Sequence, residues 1–487
     1  ELTIAAGLLF VDDTDLVSLG ENPEVKAAQV IADLQAMVLA WQKGLLVTSS
    51  SLKPEKCSWS LLAYHFKSGK VQIHTPHSLP ASISLVAEDG TFQPIKRVPA
   101  SEGTTVVGVV QTLNGKAKPQ VDALVEKAER WAVNIRSGWL NRQLAWTALR
   151  SMIWPSLAYP LQICSMTIAQ GDAIITKLYQ ALLPDLGLNK KFPKIWRYAP
   201  RMFQGMDMPH PSNGQGQDQV RWFQQAGLST EINGRLLRTT IEQAQVEIGT
   251  SRPVLQESYS DWGHLMTANC WIGSLWTFCS TYGIVLEQDT LISAPPPQRE
   301  NDAYLMELFA DRYPFTQPTT DKKKKEWENQ WLSVNRCRMS LQVIFLSDIA
   351  TGNGRAIRPE YLLYEGKTPR PQLSKWVWPL QKPTANDWTL WTAVLRAISS
   401  ESGHLATIDQ LGTWIHPSHH HQPWQYDPVC NRLYQKLEHS PAWRVYEPFA
   451  TLTRRALFQP SEIIGPQHLP VSLHQAIMTT RRRSQPV

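Results

Sequence analysis

Two adjacent aspartates, Asp12 and Asp13, lie between the apolar runs Leu8-Leu9-Phe10-Val11 and Leu16-Val17. Apolar residues on both sides of a short polar break predict two strands and a tight bend, which puts two carboxylates on a hairpin tip. Carboxylate oxygens of that kind hold hard divalent cations such as Mg²⁺, and phosphoryl transfer uses such ions to bridge the attacking oxygen and the leaving phosphate. Asp is also a favoured turn residue, and the decapeptide alone favours a solvated acidic turn between two strands over a metal site.

The elements that would position this tip follow in order. Pro23 to Lys43 reads as an amphipathic helix, with Val25, Ala28, Ile31, Leu34, Val38 and Trp41 at three- and four-residue spacings and Gly44 as its expected end. Then come Gly44-Leu45-Leu46-Val47, Lys53 and Lys56-Cys57, and later the strand-like run Thr105-Val106-Val107-Gly108-Val109-Val110.

Phe10-Val11-Asp12-Asp13 between apolar strands resembles the aromatic-x-Asp-Asp signature of reverse transcriptases of non-LTR-type retroelements. The Gly-Leu … Lys element after the helix is similar to one that follows the palm helix in these enzymes. Thr105 to Val110 resembles the strand of their primer grip, with Val107 where Leu is usual, and Pro155-Ser156-Leu157-Ala158-Tyr159 resembles a Pro-x-Leu-x-Tyr thumb segment. The resemblance covers residues 1 to about 210. It implies that Asp12 is the principal metal ligand, Asp13 its auxiliary and Val107-Gly108 the primer grip. It also implies Mg²⁺ or Mn²⁺ as cofactor, and an RNA template, a DNA primer and deoxynucleotides as partners. In that family an earlier palm strand supplies another aspartate and upstream fingers bind the nucleotide. Only nine residues precede Phe10, so the expectation is a C-terminal piece of a longer reading frame, inactive by itself.

Charge follows the same division. Residues 1 to 110 carry 8 Lys+Arg against 11 Asp+Glu, whereas residues 113 to 245 carry 16 against 9. A basic segment after an acidic hairpin suits a thumb that holds a template-primer duplex by its phosphates. Lys190, Lys191, Lys194 and Arg197, interleaved with Phe192, Trp196 and Tyr198, are its candidate nucleic-acid contacts, although a loop packed over the thumb would show the same pattern. The chain of 487 residues, 43% hydrophobic, is long enough for about three domains. Its six scattered cysteines suggest neither a zinc ribbon nor a disulfide framework, and an intracellular setting is expected. No run approaches the roughly 18 apolar residues of a membrane span, so no membrane partner is expected.

Beyond the primer-grip run the pattern is helical. Helices are expected over Lys118 to Arg136, over Asn141 to Ile153 with a stop at Trp154-Pro155, over Asp172 to Leu183 with a stop at Pro184, and from Asp218 to Gln245. Ser212 to Gln217 and the proline run between Ser293 and Arg299 read as boundaries. Asp321-Lys322-Lys323-Lys324-Lys325-Glu326 reads as a solvated loop or helix start. His416 with His419-His420-His421 reads as a surface loop rather than a metal site, and Arg481 to Arg483 as a basic tail. Twenty tryptophans should mostly anchor cores.

The expected architecture is α+β: a palm remnant over 1–112, a helical thumb over 113–211, a helical connection over 212–298 and a Trp-rich extension over 299–487. The function expected from the resemblance is RNA-directed DNA polymerase. The competing expectation is a noncatalytic helical protein that binds nucleic acid or a partner, with a structural Asp-Asp hairpin.

Overall fold

The computed structural model describes residues 7–10, 13–19, 26–87, 89–227, 229–266, 270–286, 297, 299–315, 319–362, 381–412, 424–427, 432–437, 442–449 and 457–464. The fold is α+β, with helices dominant and the strands of the described residues in two-stranded pieces plus one four-stranded sheet. Two compact units are formed, Glu1–Thr240 with Thr267–Leu286, and Ile241–Met266 with Glu287–Val487.

The first unit opens with β1 (Gly7–Phe10) and β2 (Asp13–Leu16), paired antiparallel from Gly7↔Leu16 to Phe10↔Asp13. Helix α1 (Ala27–Val47) runs four residues beyond its expected end and passes through Gly44. Short strands follow: β3 (Ser58–Trp59), β4 (Tyr64–Lys67), β5 (Lys70–Ile73), β6 (Ser84–Val86), β7 (Phe92–Pro94), β8 (Lys96–Arg97), β9 (Thr104–Val106) and β10 (Val109–Gln111). Val38, Trp59, Leu61, Ile83, Leu85 and Ile95 form a core against which Leu16, Ile31 and Leu34 pack, so the hairpin rests on α1.

One edge of β6 pairs with β7, and two glutamines of α1 cover the other. Gln35 accepts from the Ser84 amide and donates to the Ser84 carbonyl, both at 2.8 Å. Gln42 does the same at Val86, at 3.0 and 2.6 Å. Ser84 and Val86 alternate along a strand, and Gln35 and Gln42 lie two helical turns apart, so the two amides match the strand's period. By length and composition α1 is also apolar enough to cross a membrane. Only 11% of its apolar window is buried, and its contact with β6 includes these amide pairs.

Next come α2 (Lys118–Gly138), α3 (Arg142–Ala148) and α4 (Trp154–Ala158). Pro155 does not stop the chain as expected. A π-turn over Leu149–Ile153 widens the helix, and Pro155 falls in the first turn of α4, where its missing amide is not needed. Helix α5 (Ile168–Asp185) starts at a capping box of Thr167 and Gln170 and carries Pro184 in its last turn. It packs along α2: Leu124, Ala128, Ala132 and Ile135 bury against Ile174, Ile175, Leu178 and Leu182. The alanines let the two backbones approach.

After α6 (Lys194–Tyr198) come α7 (Pro211–Gly227) and α8 (Ile232–Ile248). The expected boundary at Ser212 to Gln217 is instead helical. Its glycines serve close packing: a Cβ at Gly216 would lie 2.1 Å from the Phe278 ring, and one at Gly214 2.9 Å from Trp154. Helix α9 (Tyr259–Trp262) belongs to the second unit, whereas α10 (Trp271–Tyr282) returns to the first and packs on α7, where Gln215 donates to Ser274 at 2.7 Å.

The second unit contains α11 (Leu305–Arg312), α12 (Asp321–Leu341), α13 (Leu346–Ile349), α14 (Pro359–Leu362) and α15 (Ala385–Ala397). The lysine run is the start of α12, capped by the Thr320 hydroxyl. Trp391 is fully buried between α11 and α12, edge-on to Phe309. Trp331 stacks on Phe315 at 4.2 Å and meets Trp262 at 5.4 Å, so several tryptophans are core anchors as expected. Buried Arg338 caps α8: its Nη2 donates to the carbonyls of Val246 and Glu247, both at 2.7 Å, and Gly249 ends the helix at a φ of 78°. Four antiparallel strands, β11 (Trp424–Asp427), β12 (Arg432–Lys436), β13 (Trp443–Phe449) and β14 (Leu457–Ile464), form a sheet in sequence order around Tyr434, Trp443 and Val445. The histidine run at 416–421 and Arg481 to Arg483 lie outside the described residues.

Candidate functional site

At the first hairpin, Phe10 pairs with Asp13. Asp13 opens β2, Asp15 is exposed, and Asp12 lies outside the described residues. A two-metal centre needs further carboxylates converging on the same point. Among the described residues no three His, Cys, Asp or Glu side chains come together. The described side chains therefore do not by themselves fit a divalent-metal pair.

Val107 and Gly108 occupy the turn of the β9–β10 hairpin, not a strand. Both have positive φ, 47° and 76°, the pattern of a two-residue type I′ turn. A β-branched residue is strained there, by about 1–2 kcal/mol. Two contacts hold the turn. The Tyr159 hydroxyl donates to the Val107 carbonyl at 3.1 Å, and the Gln120 side chain accepts from the Val110 amide at 2.6 Å. Gln120 is a buried residue of α2, and Tyr159 follows α4. Two runs read separately in the sequence, Val107-Gly108 and Pro155 to Tyr159, thus meet at one tip, where Val107 and Tyr159 are both exposed.

The basic segment divides into cations that face water and one that does not. Lys190, Lys191 and Arg201 are exposed and carry no ion pair among the described residues. Lys194 is exposed but holds both Asp172 oxygens at 3.0 Å. Arg197 turns inward: its Nη2 donates to the Phe192 carbonyl at 2.7 Å, and its guanidinium lies 5.7 Å from the Tyr179 ring and 5.8 Å from the Tyr198 ring. Its charge anchors the segment to the core and does not face a ligand.

Asp172, Lys194 and His210 form a cluster that their wide spacing hides in the sequence. His210 Nε2 lies 3.3 Å from Asp172 Oδ1, and its Nδ1 accepts from the Ser212 amide at 3.2 Å, which assigns the ring proton to Nε2. Burial pushes the imidazole below its usual pKa despite the aspartate. Burial also raises the Asp172 carboxyl, but hydrogen bonds and charge from Lys194 and His210 outweigh it and hold it below the usual carboxylate range. Ser212 completes a Ser, His, Asp trio in composition only. Its hydroxyl is buried and makes no hydrogen bond, and the imidazole is engaged by its amide instead. No nucleophile is presented, so the cluster ties the starts of α5 and α7 to the 190–210 segment.

In the second unit, Lys322 and Lys325 line a shallow groove of about 500 Å³ between α12 and α15. Glu326 and Asp387 share it, and Asp387 pairs with Arg336 at 2.7 Å, so its charge is mixed. No protein-family model, no curated protein and no solved structure matches this chain.

Proposed function

We propose that the chain carries the closing part of the palm and the thumb of an RNA-directed DNA polymerase of the retroelement type, and that it grips an RNA template paired with a DNA primer. The observation that carries this reading is the exposed β9–β10 tip, fixed from the thumb side by Tyr159 and Gln120. Such a held turn offers fixed backbone against which a primer strand would lie, and exposed lysines on the same unit would supply phosphate contacts. In the intact enzyme Asp12 and Asp13 would contribute carboxylates to a Mg²⁺ or Mn²⁺ pair, whose charge offsets that of the reacting phosphate. The described residues do not complete that centre. The function proposed for this chain is therefore nucleic-acid grip, with catalysis requiring ligands beyond those described.

Fluorescence anisotropy with a labelled RNA–DNA hybrid tests the reading. Binding should be insensitive to sequence and should weaken steeply with salt, since each neutralised phosphate releases counterions. Tyr159→Phe, which frees the tip, should weaken hybrid binding without changing the salt slope. A chain that binds no hybrid at low salt is not a thumb.

A further inference from the structure

Residues 186–206 contain five Lys or Arg and no Asp or Glu. Within them, the backbone aims large apolar side chains outward while Arg197 and Tyr198 turn to the core. Trp196 is 48% exposed, and Phe203, on the loop after α6, is 64% exposed. Met202 and Ile195 beside them are more exposed still. The loop is built rather than loose. Gly205 and Phe203 both donate to the Pro200 carbonyl, at 3.1 and 3.0 Å, and the Met206 amide bonds the Trp196 carbonyl at 2.8 Å. A Cβ at Gly205 would lie 2.0 Å from the Ala199 carbonyl oxygen, so the closure requires glycine. Below, Tyr198 packs edge-on against His210 at 4.9 Å, which fixes the segment from the inside. Two rings are thus exposed on a closed loop in a segment that also carries three exposed cations, Lys190, Lys191 and Arg201, with no acidic partner among the described residues.

Resting on the nucleic-acid reading above, we propose that this surface is a stacking platform for a single-stranded nucleic acid: Trp196 and Phe203 take unpaired bases, and Lys190, Lys191 and Arg201 take the phosphates between them. Charge complementarity argues for a polyanion. The exposed rings argue for an unpaired strand, because in a duplex each base face is already covered by its neighbour, whereas a single strand has faces to offer. An anionic membrane would also attract Lys with Trp, but membrane-lying segments present a long amphipathic helix. Helix α6 has five residues. A site beside the thumb that takes unpaired template would keep the strand from refolding before it is copied.

The test compares the full chain with three variants, using a labelled oligo-dT strand, an RNA–DNA hybrid and phosphatidylserine vesicles. In Trp196→Ala/Phe203→Ala, single-strand affinity should fall by about tenfold per ring while hybrid affinity and salt slope stay unchanged. Trp196→Phe, which keeps a ring, should restore most of the loss. In Lys190→Ala/Lys191→Ala/Arg201→Ala, single-strand affinity should fall and its log–log salt slope should flatten by about 2. Single-strand affinity unchanged by the ring variant overturns the platform while leaving hybrid binding, and with it the thumb, standing. Vesicle binding lost in the ring variant, without oligonucleotide binding, overturns it in favour of a membrane surface. A chain that binds neither nucleic acid rejects both this proposal and the one beneath it.

Discussion

Replacing Gln42 by Leu tests how the first unit keeps its β6 edge in place. The side chain is 8% exposed and makes two bonds to Val86, at 2.6 Å to the carbonyl and 3.0 Å from the amide. Leucine keeps a similar volume and removes both. If water replaced the partners fully, each lost bond would be worth about 1 kcal/mol; a group left dry costs about 1–3 kcal/mol. Val86 is partly buried, between those limits. A local destabilisation of about 2–3 kcal/mol follows, or roughly 30- to 150-fold in opening. Because the chain has two units, a global melt would mix them. Hydrogen exchange of the Val86 amide reads the local value, with the Ile95 amide, which bonds the Ile83 carbonyl, as an internal reference. Gln35→Leu should act in the same way on Ser84, and the double variant should be near additive, since seven residues of helix separate the two by about 10 Å. Exchange at Val86 accelerated less than threefold would show that the glutamine amide does not protect the edge.

Three other outcomes follow from the same geometry. Arg197→Ala should destabilise the first unit by about 3 kcal/mol, through its lost bond to Phe192 and lost packing on two tyrosines, yet leave the salt slope of nucleic-acid binding unchanged; calorimetry and anisotropy on one preparation check both. Arg338→Met should cost about 2–5 kcal/mol in the second unit by stranding the Val246 carbonyl and Asn335 Oδ1 and leaving the Glu247 carbonyl to Asn335 Nδ2 alone, and exchange at the end of α8 should rise with it. His264, with both ring nitrogens buried and unbonded, has its pKa pushed down to about 4 by burial. Its folded value is depressed, so the neutral ring stabilises fully above about pH 6.5 and this is lost as pH falls toward 4. Because the ring is only partly buried, about 2 kcal/mol is expected from the shift rather than its full conversion. Asp348, raised to about 6 by burial, runs the other way over the same window. Stability of His264→Phe against the parent from pH 7 to pH 5 isolates the histidine, and parallel curves would refute its role.

Periodicity made the long helices legible. The repeat of Val121, Leu124, Ala128, Ala132 and Ile135 marks the buried face of α2, because a helix docked on one neighbour must place apolar residues three and four apart. Where tertiary packing overrides local preference, the pattern failed. Pro155 reads as a stop, but a π-turn supplies the register that lets it open a new helix. Gly214 and Gly216 read as a break, but the contacts to Trp154 and Phe278 show why a helix would carry them. Alternating basic and aromatic residues in 190–201 announce a surface, yet which cation turns inward depends on Tyr179, a ring from another helix. Arg197 could not have been told from Arg201 by spacing.

The least legible feature was also the most repeated. Glutamine reads as surface, yet in this chain helical glutamines bind the backbone of irregular neighbours: Gln42 at Val86, Gln120 at Val110, Gln215 at Met166 and Gln245 at Thr250, Arg252 and Val254. Each is buried. One amide offers a donor and an acceptor at the spacing of a peptide group, so it satisfies a strand edge or loop that no other strand reaches. Short strands placed against long helices leave many such groups, and without partners each would be costly to bury. At the β9–β10 tip the device reaches the candidate site: Gln120 fixes one strand to α2 while Tyr159 fixes the turn. The turn is thereby held in a strained backbone conformation with both its residues at positive φ, and the proposed grip on a nucleic-acid end rests on that rigidity.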